Sequence, residues 1–136
     1  MMTSGEPLPM QVKAIIADCA YSSAFEILAY QGKRMYHLPA FPFVTLTSLV
    51  CKLRSGFFFE EASALKQVKK TTLPILFIHG EEDTFVPTAM VHHLYEACPT
   101  YKESFLVPDA GHGLAFTVDP DGYARHTEDF LARFVH

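Results

Sequence analysis

Three apolar runs, each closed by Asp or Gly, punctuate the chain: VKAIIAD from Val12 to Asp18, PILFIHG from Pro74 to Gly80, and ESFLVPDAG from Glu103 to Gly111. Runs this rich in β-branched and aromatic residues predict strands buried on both faces, as in a parallel sheet. Between and after them, apolar residues return with the helical period. Ser23 and Glu26 form a capping box: Ser23 can accept the amide three residues on while Glu26 reaches back, and the helix they open should stop near Gly32. Met90, Val91, Leu94, Tyr95 and Cys98 share one helical face, started by Pro87 and stopped by Pro99. Tyr123, Thr127, Phe130, Leu131 and Phe134 repeat the pattern near the C-terminus. Strand, helix, strand, helix in this order predicts an α/β fold in a single domain, with a parallel sheet and flanking helices.

The stretch from Lys33 to Thr72 breaks the alternation. Phe43, Leu46, Val50, Leu53 and Phe57 recur at helical spacing, and Glu60 to Lys70 reads as another helix with Ala62, Leu65 and Val68 inward. This is a helical insertion between the first two strands, either a lid over a pocket or a long crossover packed on the sheet. Its aromatic stripe is expected to pack as core. A sheet of about three strands also leaves a long apolar edge at Val12 to Asp18, which invites pairing with another chain.

Composition narrows the function classes. Eleven basic against 15 acidic residues give a net charge of −4. The one basic cluster, Lys66, Lys69 and Lys70, suits a helix C-terminus better than a phosphate backbone, so nucleic acid is not the expected partner. Cys19, Cys51 and Cys98 are odd in number and form no C-x-x-C pair, which points to reduced thiols packed as small core residues rather than disulfides or a zinc site. The N-terminal stretch has no basic region followed by an apolar one, and LPAFPFVTLTSLV is broken by Pro39 and Pro42. A soluble cytoplasmic protein with no membrane partner is the expectation.

The candidate chemistry gathers at the ends of the second and third strands. Asp83 follows the second strand and His112 lies in the loop after the third, between Gly111 and Gly113, so neighbouring parallel strands should bring both to one rim of the sheet. A carboxylate bonded to one ring nitrogen fixes the histidine tautomer and leaves the other nitrogen free to act as a base. Each residue also has a plainer reading, Asp83 organising the turn ahead of Pro87 and His112 as a loop histidine. Other candidates are weaker. Asp18 ends the first strand as an alternative acid, Asp109 reads as a turn residue, and Tyr21 could border a pocket or close the core. His79 with Asp83 and His112 offers acceptable metal ligands without a diagnostic spacing, and the adjacent His92 and His93 point different ways on their helix.

The segments IHGEEDTFVP and DAGHG, in that order, resemble the acid and histidine loops of α/β-hydrolase-fold serine hydrolases, in particular the branch of prolyl oligopeptidases and dienelactone hydrolases. The resemblance covers Val12 to Val135 but only the C-terminal half of that fold. It implies that Asp83 is the triad acid and His112 the general base, in the family's chain order. It also makes Met1 to Gly5 the tail of the helix that follows the nucleophile. No G-x-S-x-G occurs in the 136 residues, however, so the nucleophile elbow is missing. Cys19, Ser22 and Ser23 lack the elbow glycines; Cys19 is expected to pack and Ser23 to cap.

The resemblance therefore implies the C-terminal portion of a serine hydrolase acting on a small-molecule ester or peptide-like substrate, inactive alone and needing no cofactor. The competing reading is a non-catalytic binding or assembly module using the open sheet edge. Either reading makes a homo-oligomer, through that edge or by exchange of elements, the expected state.

Overall fold

The computed structural model describes residues 4–135. Strands β1 (Ile15–Asp18), β2 (Ile75–Gly80) and β3 (Lys102–Val107) form one parallel sheet in that spatial order, Ile15 beside Ile75 and Ile75 beside Lys102. Helix α1 (Ala24–Tyr36) follows β1; α2 (Thr45–Ser55) and α3 (Ala64–Val68) lie between it and β2; α4 (Thr88–Ala97) links β2 to β3; and α5 (Ala115–Val118) and α6 (Pro120–Phe134) close the chain. The α/β architecture and the three parallel strands agree with the sequence pattern.

β2 is buried along its whole length because both its faces are covered. Ile75 and Phe77 point to one side, into a cluster with Ala64 and Val68 of α3 and Val91 and Leu94 of α4. Leu76 and Ile78 point to the other, against Val107, Ala110, Ala115 and Phe130. This follows from the alternation of side chains along a strand. Phe77 and Phe130 are fully enclosed, and each contributes about 1.5–3 kcal/mol by leaving water.

Several boundaries depart from expectation. β1 begins at Ile15 rather than Val12, since the Val12 N–H turns back to the Pro9 carbonyl. β3 ends at Val107, and the Pro108–Gly111 segment is a loop in which Asp109 takes a left-handed backbone. Helix α1 runs past Gly32 to Tyr36 and stops where His37 turns left-handed. Ser23 Oγ does accept the Glu26 N–H, but the Glu26 carboxylate is taken by the Ser22 hydroxyl, so the second half of the box is absent. The helix expected over Glu60 to Lys70 is shorter, Ala64–Val68, capped by Ser63. Of the segment Met1 to Gly5, residues 1–3 lie outside the described residues; Ser4 and Gly5 form a turn.

The main correction concerns the insertion. Phe43, Leu46, Val50, Leu53 and Phe57, expected as core, are all exposed, Leu53 to 79%. The sheet face on that side is filled by α3, the last helix of the insertion, together with α4. Helix α2 instead packs on the kinked turn Ala40–Val44, which packs on α1. Its buried positions are occupied by Val44, just ahead of the helix, and Ser48, whose hydroxyl bonds the Glu60 carboxylate and the Phe59 N–H. No helix among the described residues is long and apolar enough to cross a membrane.

Candidate functional site

The close packing of two loops positions the acid and the histidine. Gly80 ends β2 directly against the carbonyl of Ala110; a Cβ there would stand 2.2 Å from that oxygen. The Glu81 and Glu82 N–H groups donate to Val107 and Ala110 carbonyls at 3.0 Å each, so the two loops run together beyond the sheet. Only glycine permits this approach.

Asp83 is buried and uses its two oxygens for different tasks. Oδ1 accepts the Phe85 and Val86 N–H groups at 2.8 Å each, and Oδ2 meets His112 Nδ1 at 2.8 Å. Asp83 thus both organises the turn and contacts the histidine. With Nδ1–H donated to the carboxylate, Nε2 is left as the basic nitrogen. The His112 side chain remains 43% exposed, and the Phe85 ring lies 4.8 Å from its imidazole.

Two neighbours of this pair carried no distinctive sequence signal. His79, fully buried, donates from Nε2 to the Val86 carbonyl at 2.9 Å and lies 3.5 Å from Asp83 Oδ2, bracing the acid turn from behind. The sequence offered it only as an acceptable metal ligand beside Asp83 and His112, without a diagnostic spacing. Cys19 was expected to pack as a core residue. It is instead half-buried at the end of β1 in a left-handed conformation (φ 51°), and its Sγ accepts the Gly113 N–H at 3.2 Å. Burial pushes the Cys19 thiol up to about 12, with the Gly113 N–H pulling the other way and the Asp18 and Asp83 carboxylates adding to the rise. A thiol this reluctant to ionise is a poor nucleophile.

Asp18 does not share the histidine; its carboxylate accepts the Tyr123 hydroxyl at 3.0 Å. His92 and His93 are exposed on α4. Helix α1 holds the acid loop from its open side, through Tyr30 and Arg34 to Thr84 and Gln31 to the Phe85 carbonyl. Between α1 and that loop lies a cavity of about 780 Å³, in the range small-molecule ligands occupy. Tyr21, Ile27, Leu28, Met35 and Val86 make its wall mostly apolar, and His112 and Cys19 stand on its border. The arrangement can take a proton from a group bound in that cavity and return it.

Residues 30–114 match the family model described as "Serine hydrolase (FSH1)". The chain is 31% identical over 116 residues to YqkD, an uncharacterised protein of Bacillus subtilis, covering 85% of this chain and 38% of that protein. It is 32% identical over 82 residues to the human alpha/beta hydrolase domain-containing protein 17C, covering 60% of this chain and 23% of that one. The fold matches the Pyrococcus furiosus esterase Pf2001 with a TM-score of 0.70 at 21% identity, over 98% of this chain and 49% of the esterase. It matches the Pyrococcus horikoshii acylaminoacyl peptidase with a TM-score of 0.67 at 16% identity, over 96% and 21%. The chain spans well under two thirds of each of these proteins, and over most of its own length it belongs to the FSH1 family of serine hydrolases, with an α/β-hydrolase fold.

Proposed function

We propose that this chain supplies the acid and the general base of a serine hydrolase, Asp83 and His112, and that the nucleophile lies in the part of the fold it does not contain. The observation that carries the reading is the 2.8 Å bond from a buried, doubly anchored carboxylate to an imidazole bordering an open cavity. In the complete enzyme a serine attacks the acyl carbon of an ester or peptide-like substrate. His112 Nε2 takes the serine proton and passes it to the leaving group, while Asp83 holds the tautomer and stabilises the imidazolium. The apolar wall favours a small-molecule ester with an apolar acyl or alcohol part over a charged one. No step calls for a cofactor.

The 136-residue chain is proposed to be inactive alone, since neither Cys19 nor any serine within it stands on a glycine-flanked elbow. The test joins the chain to the N-terminal part of YqkD and treats the product with a fluorophosphonate probe and p-nitrophenyl esters. The joined protein should label and turn over, and the chain alone and the joined His112→Ala variant should not. Labelling of the chain alone, or equal labelling in the variant, would remove the reading.

A further inference from the structure

We propose that Cys19, Asp83 and His112 form a site for a thiophilic divalent cation, zinc first, and that a cation there takes His112 out of use as a base. One donor atom from each of the three residues lies within 4.8 Å of the other two. Tetrahedral zinc, with bonds of about 2.0–2.3 Å, sets its donors about 3.3–3.8 Å apart. The widest separation allowed by that limit exceeds this by about 1 Å, whereas Asp83 Oδ2 and His112 Nδ1, at 2.8 Å, stand closer than a shared cation would hold them. Binding therefore needs side-chain adjustment, and the residues differ in which can move. Asp83 is the fixed member, its Oδ1 tied to two backbone N–H groups. His112 and Cys19 are the adjustable ones. The imidazole is 43% exposed, in a loop whose Gly113 has φ +70°, and the thiol is only half-buried.

Donor chemistry selects the cation. Thiolate, imidazole and carboxylate together suit zinc and its borderline-soft neighbours and are poor ligands for magnesium or calcium. Zinc with one thiolate and one carboxylate makes a neutral site, which a half-buried position tolerates better than a net charge. The supporting contacts are of the kind such ligands need. The Gly113 N–H points at Cys19 Sγ, and His79 Nε2 lies 3.5 Å from Asp83 Oδ2. The cavity bordered by Cys19 and His112 leaves a fourth position open for water. On binding, Cys19 gives its proton to solvent and a lone pair to the metal. If Nδ1 of His112 binds, its proton moves to Nε2 and the bond to Asp83 is lost; if Nε2 binds, the basic lone pair is occupied. Both routes silence the base.

Metal binding itself does not depend on the hydrolase reading; the inhibitory consequence rests on it. The 136-residue chain is titrated with zinc in competition with a chromophoric chelator, and with cobalt(II) followed by absorption. One equivalent should bind in the micromolar range, with a thiolate-to-cobalt charge-transfer band. Cys19→Ser and His112→Ala should each weaken binding by about tenfold or more, and Cys19→Ser should abolish the band. The band in the unaltered chain reports thiolate ligation even if a variant unfolds. Absence of stoichiometric binding, absence of the band, or zinc affinity unchanged in either folded variant would overturn the site. If the chain binds zinc while the joined hydrolase fails to label with fluorophosphonate, the cation site stands and the acyl-transfer reading falls. Labelling unaffected by zinc that the chain demonstrably binds would overturn the inhibitory role.

Discussion

Asp83 serves two structures with one side chain, and its substitution separates them. In Asp83→Asn the remaining carbonyl oxygen can still accept the Phe85 and Val86 N–H groups, but the amide offers His112 a donor where the imidazole needs an acceptor. The fold should survive with a loss of about 1–3 kcal/mol, read by urea unfolding. The downfield imidazole N–H resonance of His112 should vanish from the proton spectrum. In the joined hydrolase, kcat should fall by about 10⁴, as expected when the wrong tautomer is held. Cys19 carries a separate prediction. Its thiol, raised from 9.0 to about 12, is about 10⁻⁴ ionised at pH 8, so iodoacetamide alkylation of the folded chain should be slow there and accelerate only as pH approaches 12. The sign for stability follows. The unfolded chain releases this proton near 9 and the folded chain retains it, so the contribution is fully present below pH 9 and is lost as pH rises toward 12.

At the scale of elements, the sheet rim is only as good as the contact between its two loops. Gly80→Ala would place a methyl 2.2 Å from the Ala110 carbonyl oxygen, on backbone that cannot rotate away. The substitution should push the histidine loop off the acid loop, lower the unfolding midpoint, and erase the His112 downfield resonance although neither partner has changed. Retention of that resonance would show that the loops can separate without parting the side chains. Phe130 of α6 is fully enclosed against Leu76 and Ile78, and Phe130→Ala should cost about 3–5 kcal/mol, measured by denaturant titration. Leu53→Ser on α2, at 79% exposure, should cost less than about 0.5 kcal/mol. Together the two variants distinguish enclosed apolar positions from uncovered ones.

For the whole molecule, the outer edge of β1, unpaired among the described residues, and the uncovered stripe on α2 leave much apolar surface in contact with water. We propose that isolated chains associate through these surfaces, by edge pairing or by exchange of elements. Sedimentation velocity across a wide concentration range should show the average mass rising with concentration, and joining the chain to the N-terminal part of YqkD should suppress the rise. A clean monomer at the highest concentration reached would contradict the proposal.

Periodicity and strand-end chemistry by themselves determined the α/β class, the three parallel strands, the apolar face of α4 and the pair Asp83 and His112. Each of these depends on side-chain order along one element or on the rule that parallel strands gather their loops at one rim. Tertiary structure alone decided which apolar stripes are covered. Phe43, Leu46, Val50 and Leu53 have a helical period as good as that of Met90, Val91 and Leu94, but the sheet face is already taken by α3 and α4. It also decided that Cys19 leaves the core for the site and that His79 braces the acid turn. The first depends on a left-handed backbone at the end of β1, and the second on a carbonyl seven residues further along the chain. Hydrophobic pattern records what a residue prefers, whereas its burial depends on what else competes for the same surface.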